Sequence, residues 1–464
     1  MTRVPTRVPH LDPVLGGGLP RGVLTLLAGR AGTGKTLLAL QWLFGNASAE
    51  APGLYVTTLS EPQEKLLRHL AGYGFFRPEA VGTAVRFADL GPTLLDRGPD
   101  AALEDLEALL REHEPAYLVV DSFRALADLA PSADRFRPLV FRLGAHLATL
   151  PVTTLLLGEY GSREVMETVA ASVVDAIVYL TNEVDPDRSG RRSLRVVKLR
   201  GSGFLEGEHP LWIGDDGVRV APRTTTPERP ATYEPLTRRR STGVEGLDRL
   251  TGGGFLDGTA TLFVGEPGAG KTTFALSAVA AAARAGEPSL YVSFQEDPNQ
   301  LAATAARLGV PADGPVTFFY TSPVELTSDR HVLEVARRAE ACRARVVAVD
   351  SLTDLRAGAG DRYLAFAYSL VQHFKDRRAS LVMTLESSDL FGPVRISGAG
   401  ISHVADNVVL LRYHEEPGRL ATALTVLKAR GIEHSREIVG YELGTAGVRV
   451  GGPVAGPVFG GDGG

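Results

Sequence analysis

Several features that would indicate other classes of protein are scarce in this 464-residue chain. Cys342 is the single cysteine, so neither an internal disulfide bond nor a cysteine-based zinc site is available. We expect it to be a buried, reduced thiol on a helix before a core strand. The histidines show no metal-ligand spacing, and no apolar run reaches the roughly 18 residues of a membrane span. The first residues also lack the apolar segment of a signal peptide, so we expect a cytoplasmic protein.

An excess of positive charge is also missing. The formal net charge is −5, and the isoelectric point is near 6.1. Proteins that coat nucleic acids need a basic surface, so this balance argues against a nucleic-acid partner. Hydrophobic residues make up 44% and charged residues 22%, as in ordinary globular domains.

The chain contains an internal repeat. Residues 16–19 (GGGL) recur as residues 252–255 (GGGF), and residues 29–36 (GRAGTGKT) recur as residues 265–272 (GEPGAGKT), both 236 positions later. The Val-Asp-Ser and Lys-x-Arg-Gly segments recur at offsets of 229 and 230. A period this long indicates a duplicated domain rather than a solenoid, whose repeats span roughly 20–50 residues.

The boundaries follow from composition. A proline-rich polar stretch predicts a linker at 223–237, which separates a first domain at 1–222 from a second at 238–450. The glycine-rich end, 451–464, predicts a disordered tail. In the first copy, buried strands at 23–28, 54–58, 117–120 and 153–157 alternate with helical patterns at 36–44 and 101–113. This alternation predicts an α/β fold in which a mostly parallel sheet is flanked by helices.

Each copy has one match to the pattern G-x-x-x-x-G-K-[ST], preceded by an apolar strand and followed by a helical pattern. In this P-loop motif, backbone N–H groups surround phosphates, the lysine contacts the β- and γ-phosphates, and the hydroxyl binds Mg²⁺. The motif predicts ATP and Mg²⁺ as ligands. The predicted residues are Gly29, Gly32, Thr33, Gly34, Lys35 and Thr36 in the first copy, and Gly265, Gly268, Ala269, Gly270, Lys271 and Thr272 in the second.

Binding of Mg²⁺ and hydrolysis of ATP each need a further acidic residue. A carboxylate that holds the Mg²⁺ water shell is expected at the end of a neighbouring strand, and Asp121 and Asp350 stand at matching places. A group that orients or deprotonates water is expected after the Tyr-Val strand. The second copy offers Glu296 there, and the first copy offers Glu61, although a solvated loop carboxylate is an equally good reading of each.

These motifs, together with the GGGLP segment before the first P-loop and residues 384–389 (TLESSD), resemble the KaiC-like family of tandem RecA-type ATPases. The resemblance covers about residues 9–450. It implies two RecA-like P-loop domains and a homohexameric double ring, with ATP bound between subunits. Lys198, Arg200, Lys428 and Arg430 match the family positions that reach a neighbour's γ-phosphate; without the resemblance, they read as surface charge.

The chain departs from the family at two places. The family's catalytic pair is two glutamates, where the second copy has Gln295 and Glu296 and the first has Leu59 and Ser60. We therefore expect slow hydrolysis, mostly in the second copy. The family's phosphate-acceptor pair falls on Ser402 and a histidine, so any autophosphorylation is expected on Ser402 alone.

Three functions remain open on the sequence. One is a slow KaiC-like ATPase, with possible serine autokinase activity, that acts in signalling through an unidentified protein partner. Another is a nucleic-acid recombinase or motor of the RecA class, for which the arginine run 238–240 is a candidate surface; a solvated linker end is the commoner reading of such a run. A third is a scaffold that uses ATP only to hold a ring together.

Overall fold

The computed structural model describes residues 2–59, 62–130, 132–183, 191–223, 236–311, 313–322, 328–359, 363–387 and 404–454. The chain divides into two compact units, Met1–Arg223 and Thr224–Gly464. The division falls inside the predicted linker, of which residues 224–235 lie outside the described part.

The first unit mixes strands and helices up to residue 173, and its remaining elements are all strands. Its strands are β1 (Arg3–Val4), β2 (Leu19–Pro20), β3 (Leu24–Gly29), β4 (Gly53–Thr57), β5 (Val85–Asp89), β6 (Tyr117–Asp121), β7 (Thr153–Glu159), β8 (Ala176–Glu183), β9 (Arg191–Leu199), β10 (His209–Gly214) and β11 (Gly217–Val220). Its helices are α1 (Leu11–Val14), α2 (Lys35–Asn46), α3 (Gln63–Leu70), α4 (Gly91–Arg97), α5 (Pro99–His113), α6 (Phe123–Asp128), α7 (Ala133–Ala148), α8 (Glu164–Glu167) and α9 (Val169–Val173), with a 3₁₀ turn at Pro78–Ala80.

Nine of these strands form one sheet in the order β11-β10-β9-β8-β3-β7-β6-β4-β5. The six strands from β8 to β5 are parallel, and β9, β10 and β11 extend the sheet by antiparallel pairing. The inner parallel strands β3, β4 and β6 are mostly apolar and buried because helices cover both faces. One face packs on α2 and the other on α5 and α7.

The second unit repeats this plan. Its strands are β12 (Arg239–Arg240), β13 (Phe255–Leu256), β14 (Ala260–Gly265), β15 (Ser289–Ser293), β16 (Val316–Tyr320), β17 (Val346–Asp350), β18 (Ser380–Glu386), β19 (Asn407–Glu416), β20 (Arg419–Ala429), β21 (Val439–Gly444) and β22 (Gly447–Pro453). Its helices are α10 (Glu245–Leu250), α11 (Lys271–Arg284), α12 (Pro298–Arg307), α13 (Ser328–Ala341), α14 (Leu352–Ala359) and α15 (Tyr363–Asp376). The sheet order is β16-β15-β17-β18-β14-β19-β20-β21-β22, with antiparallel pairing from β19 onward.

The same irregularity interrupts the first antiparallel pair of each sheet. In the first unit, Ile177 pairs with Lys198 but Val178 pairs with Val196, so Val197 has no partner across the ladder. In the second unit, the register shifts in the same way between Val408 and Val409. A β-bulge therefore precedes the Lys-x-Arg segment in both copies.

The α/β prediction is confirmed, with two mostly parallel sheets flanked by helices, and the predicted strands agree with the observed ones to within two residues. Strand β22 runs to Pro453, which pairs with Val439, so regular structure includes the first three residues of the predicted tail. Cys342 is partly exposed and lies just after α13, because it packs at the margin of the core rather than inside it. No helix in the described ranges is long and apolar enough to cross a membrane.

Candidate functional site

The two P-loops connect a buried central strand to the start of a long helix. Gly34 precedes α2 with φ of 100°, and Gly270 precedes α11 with φ of 85°. Glycine adopts this left-handed conformation without steric cost, which lets the backbone turn sharply into the helix. The first N–H groups of a helix have no partners within it and carry partial positive charge, so each loop is suited to binding an anion.

Each P-loop lysine contacts the loop that precedes it. The Lys35 Nζ donates to the carbonyl oxygens of Gly29 and Arg30 at 2.8 and 2.9 Å. The Lys271 Nζ donates to Gly265 and Glu266 at 3.1 and 2.8 Å. Burial lowers the pKa of both ammonium groups, and nearby carboxylates oppose that shift.

The predicted metal-binding residues also meet in both domains. The Thr36 hydroxyl donates to Asp121 Oδ2 at 2.8 Å, and the Thr272 hydroxyl donates to Asp350 Oδ2 at 2.7 Å. A hydroxyl and a carboxylate at the foot of a phosphate-binding loop are hard oxygen ligands of the kind that Mg²⁺ prefers. Among the described residues, no group of three or more His, Cys, Asp or Glu side chains forms a metal cage. A pair of two oxygen ligands is suited to a cation that keeps water and phosphate ligands.

A tyrosine supports each of these aspartates. Tyr55 and Tyr291 donate to the same carboxylate oxygens of Asp121 and Asp350, both at 2.7 Å. Burial and the neighbouring carboxylate raise the pKa of Tyr291, which keeps its hydroxyl a donor. From the sequence, the Tyr-Val strand served only to locate the water-activating group; the position of its tyrosine before the Asp-Ser strand in both copies was the available signal.

In the first domain, these groups line a cleft of about 870 Å³. Ile213, from the β10–β11 hairpin, reaches the start of α2, where its Cδ1 lies 3.1 Å from the position that a Cβ on Gly34 would take. Leu443, from the β21–β22 hairpin, stands in the same relation to Gly270. The described apolar lining also includes Leu37, Leu59, Leu66 and Tyr73.

The predicted water-activating residues differ between the copies. In the second domain, Gln295 is exposed and its amide donates to Asp354 at 2.8 Å, whereas Glu296 is half-buried. Burial, with a smaller contribution from the Asp350 carboxylate, raises the pKa of Glu296. In the first domain, Leu59 is 47% exposed, and Glu61 lies outside the described residues. Ser402 also lies outside them.

The predicted cations lie where the parallel strands start, whereas the P-loop of the same domain follows the end of its strand. Lys198 pairs with Ile177 near the start of β8, and its ammonium donates to the carbonyl oxygens of Ala171 and Val174. Arg200 lies 3.8 Å from Asp175. Since β8 is parallel to β3, these groups lie near the strand starts, whereas the P-loop follows the strand end.

The second domain has the same arrangement. Lys428 donates to the carbonyl oxygen of Ala405, and Arg430 lies 3.6 Å from Asp406. These four cations are thus not brought together with the P-loop of their own domain.

The sequence missed a second pair of acidic residues. Glu159 ends β7 and pairs across the sheet with Gly29; Glu386 ends β18 and pairs with Gly265. Both are exposed at the edge where the P-loop begins. Glu386 lies in the 384–389 segment that carries part of the resemblance, but the recurrence of a strand-end glutamate 227 residues apart differs from the offsets of the motifs around it.

The arginine run leads into β12 and is paired within its own domain, although Arg238 and Arg239 stay exposed. Arg240 lies 2.8 Å from Asp257 and also pairs with Glu287. Arg238 lies 2.7 Å from Glu287, and Arg239 donates to backbone carbonyl oxygens. These cations are paired within their own domain because acids that follow later in the chain fold back onto β12.

Comparison with known proteins agrees with this geometry. A family model described as "ATPase: KaiC" matches residues 4–225, 240–314 and 325–454. The chain is 28% identical to the circadian clock oscillator protein KaiC of Picosynechococcus sp., over 97% of this chain and 89% of the relative. It is 29% identical to the circadian clock protein KaiC3 of Synechocystis sp., over 97% of this chain and 92% of the relative. With both of its P-loop domains matched, the chain belongs to the KaiC family of ATPases.

Proposed function

We propose that each domain binds one ATP with Mg²⁺ at its P-loop. The observation that carries this proposal is the pair of matching hydroxyl–carboxylate contacts, Thr36 with Asp121 and Thr272 with Asp350. The glycines and N–H groups of each loop surround the phosphates, and the P-loop lysine exchanges its carbonyl contacts for the β- and γ-phosphates. The hydroxyl and aspartate hold Mg²⁺ and its water shell, which offsets the phosphate charge.

Calorimetry tests this assignment directly. The unmodified chain is expected to bind two ATP molecules, and each single variant, Lys35→Ala or Lys271→Ala, to bind one. The double variant is expected to bind none; two tight sites per chain in that variant would refute the assignment.

We propose further that the bound ATP is hydrolysed slowly and that the second domain performs most of the hydrolysis. Glu296 is half-buried near Asp350 and its raised pKa suits it to accept a proton from water. Gln295 cannot accept that proton, and its contact with Asp354 directs its amide toward α14. Glu61 stays the candidate of the first domain from the sequence, with Leu59 and Ser60 at the two family positions.

The nucleotide is proposed to lie between subunits of a homohexameric double ring. Lys198, Arg200, Lys428 and Arg430 lie at the sheet end remote from their own P-loops, so they act on phosphate only when another subunit presents it. Cations supplied in this way stabilise the charge that develops on the transferred phosphoryl group. Because a nucleotide held by two subunits favours the assembled state, ATP is expected to promote assembly.

Sedimentation with and without ATP checks the ring. A hexamer is expected in ATP, and the Arg200→Ala/Arg430→Ala variant is expected to turn over less ATP while each P-loop still binds it. Monomers at saturating ATP would contradict the proposal.

A serine autokinase activity is proposed at Ser402, as part of a signalling or regulatory role exerted through a protein partner. Ser402 occupies the family's acceptor position in the sequence, with histidine where the family has threonine. Intact mass after incubation with ATP is expected to show at most one added phosphate per chain, absent in Ser402→Ala. Two phosphates, or one that persists in this variant, would refute the assignment.

A further inference from the structure

The strand that lies between the P-loop strand and the aspartate strand ends in a glutamate in each domain. In the first sheet, β7 separates β3 from β6, and its last residue, Glu159, pairs with the first P-loop glycine, Gly29. In the second sheet, Glu386 of β18 has the same relation to Gly265. The position of this glutamate in each domain is therefore determined by the register of a β-strand and not by a loop.

Register also determines which way the carboxylate is directed. Val120 pairs with Leu156, and continuing that register sets Asp121 beside Leu157. Residues two apart on a strand share a face, so Glu159 lies on the face of Asp121, about 6–7 Å further along the strand. The second domain illustrates this geometry, because Thr384 donates directly to Asp350, and Glu386 follows Thr384 by two residues.

The end of the strand is held in place by the helix that follows the aspartate. In the first domain, Arg124 on α6 donates to the Glu159 carbonyl oxygen at 3.2 Å. In the second, the Glu386 N–H donates to the Thr353 hydroxyl on α14 at 2.9 Å. Different side chains thus anchor the same backbone position in the two copies, so its placement beside the P-loop has been kept while the anchor changed.

The electrostatic surroundings in the first domain agree with this placement. Burial lowers the pKa of Lys35; of the carboxylates that oppose the shift, Glu159 has the larger effect and Asp121 the smaller. Glu159 is exposed and lines the cleft. No described residue forms a hydrogen bond or ion pair with its carboxylate. A negative group at this position therefore faces the space above the P-loop lysine.

We propose that Glu159 is the catalytic carboxylate of the first domain, which contacts the attacking water beside the γ-phosphate. This inference rests on the proposed hydrolysis of ATP. The water oxygen bonds to the γ-phosphorus as the bond to the β–γ bridging oxygen breaks, and its electron pair leaves with ADP. One proton of the water stays on the phosphate product; the other passes to Glu159 and then to solvent.

Other described acids of this cleft have different partners. Asp121 is engaged by Thr36 and Tyr55, and Asp128 by Arg124. Leu59, at a family glutamate position, has no group that accepts a proton. Glu159 is the described acid of this cleft that remains for proton transfer, and it competes for that role with Glu61, the candidate from the sequence, which lies outside the described residues.

The test isolates the first domain by working in the Lys271→Ala chain, whose remaining turnover belongs to that domain. Glu159→Gln keeps the size of the side chain and removes the base. Its turnover at saturating ATP is expected to fall by roughly 10²-fold or more. Its affinity for ATP, measured by calorimetry, is expected to stay equal or become tighter, since one negative charge near the phosphates is gone. Glu167→Gln, at an exposed residue of α8 after the same strand, is the matched control and is expected to leave turnover unchanged.

Three results would overturn the proposal, and they are distinguishable. Turnover of Glu159→Gln within threefold of its parent refutes a catalytic role while hydrolysis itself stands. A loss of ATP affinity with full turnover at saturation assigns Glu159 to binding instead. If the Lys271→Ala parent binds ATP but turns over none, hydrolysis by the first domain fails and the role of Glu159 fails with it.

Discussion

A buried ion pair holds the second P-loop, and its removal gives the most quantitative prediction. Glu266 follows the first glycine of that loop and is 0% exposed; Arg412 on β19 is 3% exposed, with its Nε 2.7 Å from Glu266 Oε1. Charges taken out of water are costly, and the attraction between the two charges of a buried pair offsets part of that cost. In the first domain, the matching loop residue is Arg30, which is exposed.

Arg412→Met removes the cation and leaves the carboxylate buried. Breaking a buried pair in this way costs about 3–5 kcal/mol of unfolding free energy. The double variant Glu266→Gln/Arg412→Met contains no buried charge at this place, so it is expected to recover most of that loss. Arg249→Met is the matched control, because it breaks the exposed Arg249–Glu245 pair and costs about 0–1 kcal/mol.

Urea unfolding without nucleotide measures these differences. The chain has two tryptophans, Trp42 and Trp212, both in the first domain, so their fluorescence reports that domain alone, whereas far-ultraviolet circular dichroism reports both. We expect the dichroism transition of the second domain to move to lower urea and the fluorescence transition to stay. A cost for Arg412→Met no larger than that of the control would refute the reasoning, as would a double variant less stable than Arg412→Met.

Two further predictions concern turnover. Lys271→Ala is expected to lose more ATPase activity than Lys35→Ala, provided that both still assemble, because the second domain has Glu296; the opposite order would reverse the division between domains. In the Lys35→Ala chain, turnover is expected to rise with pH, and the midpoint of the rise is expected above the ordinary glutamate pKa of 4.5. The reason is that the raised pKa of Glu296 keeps its carboxyl group protonated to a higher pH than usual, and a protonated carboxyl group cannot accept a proton from water. A rate profile from pH 4 to 8 checks this, and an acid limb at or below 4.5 would contradict it.

The parts of the fold and site that the sequence predicted are those set by local pattern. The P-loops, their strands and helices, and Asp121 and Asp350 each lie within a short segment whose chemistry identifies it. Glu159 was missed because its meaning depends on strand order. Strand β7 is fifth among the strands of its sheet in chain order but lies beside the P-loop strand in space.

The arginine run at residues 238–240 is a second feature whose role depends on residues distant in the sequence. A row of three cations suggests a basic surface when only neighbours in sequence are considered. Their acidic partners, Asp257 and Glu287, follow 17 and 47 residues after Arg240. Pairing over such separations is determined by the folded chain, and local charge patterns do not report it.

The two matching β-bulges bear on how the chain evolved by duplication of a single domain. An extra residue in a strand moves the side chains that follow it to the other face of the sheet. Val197 therefore determines the face on which Lys198 and Arg200 lie. The second copy keeps the same insertion at Leu427, between Val426 and Lys428, which match Val196 and Lys198 of the first copy. The insertion was therefore present in the single domain that was duplicated, and deletion of Val197 would redirect both cations without changing the charge of the chain.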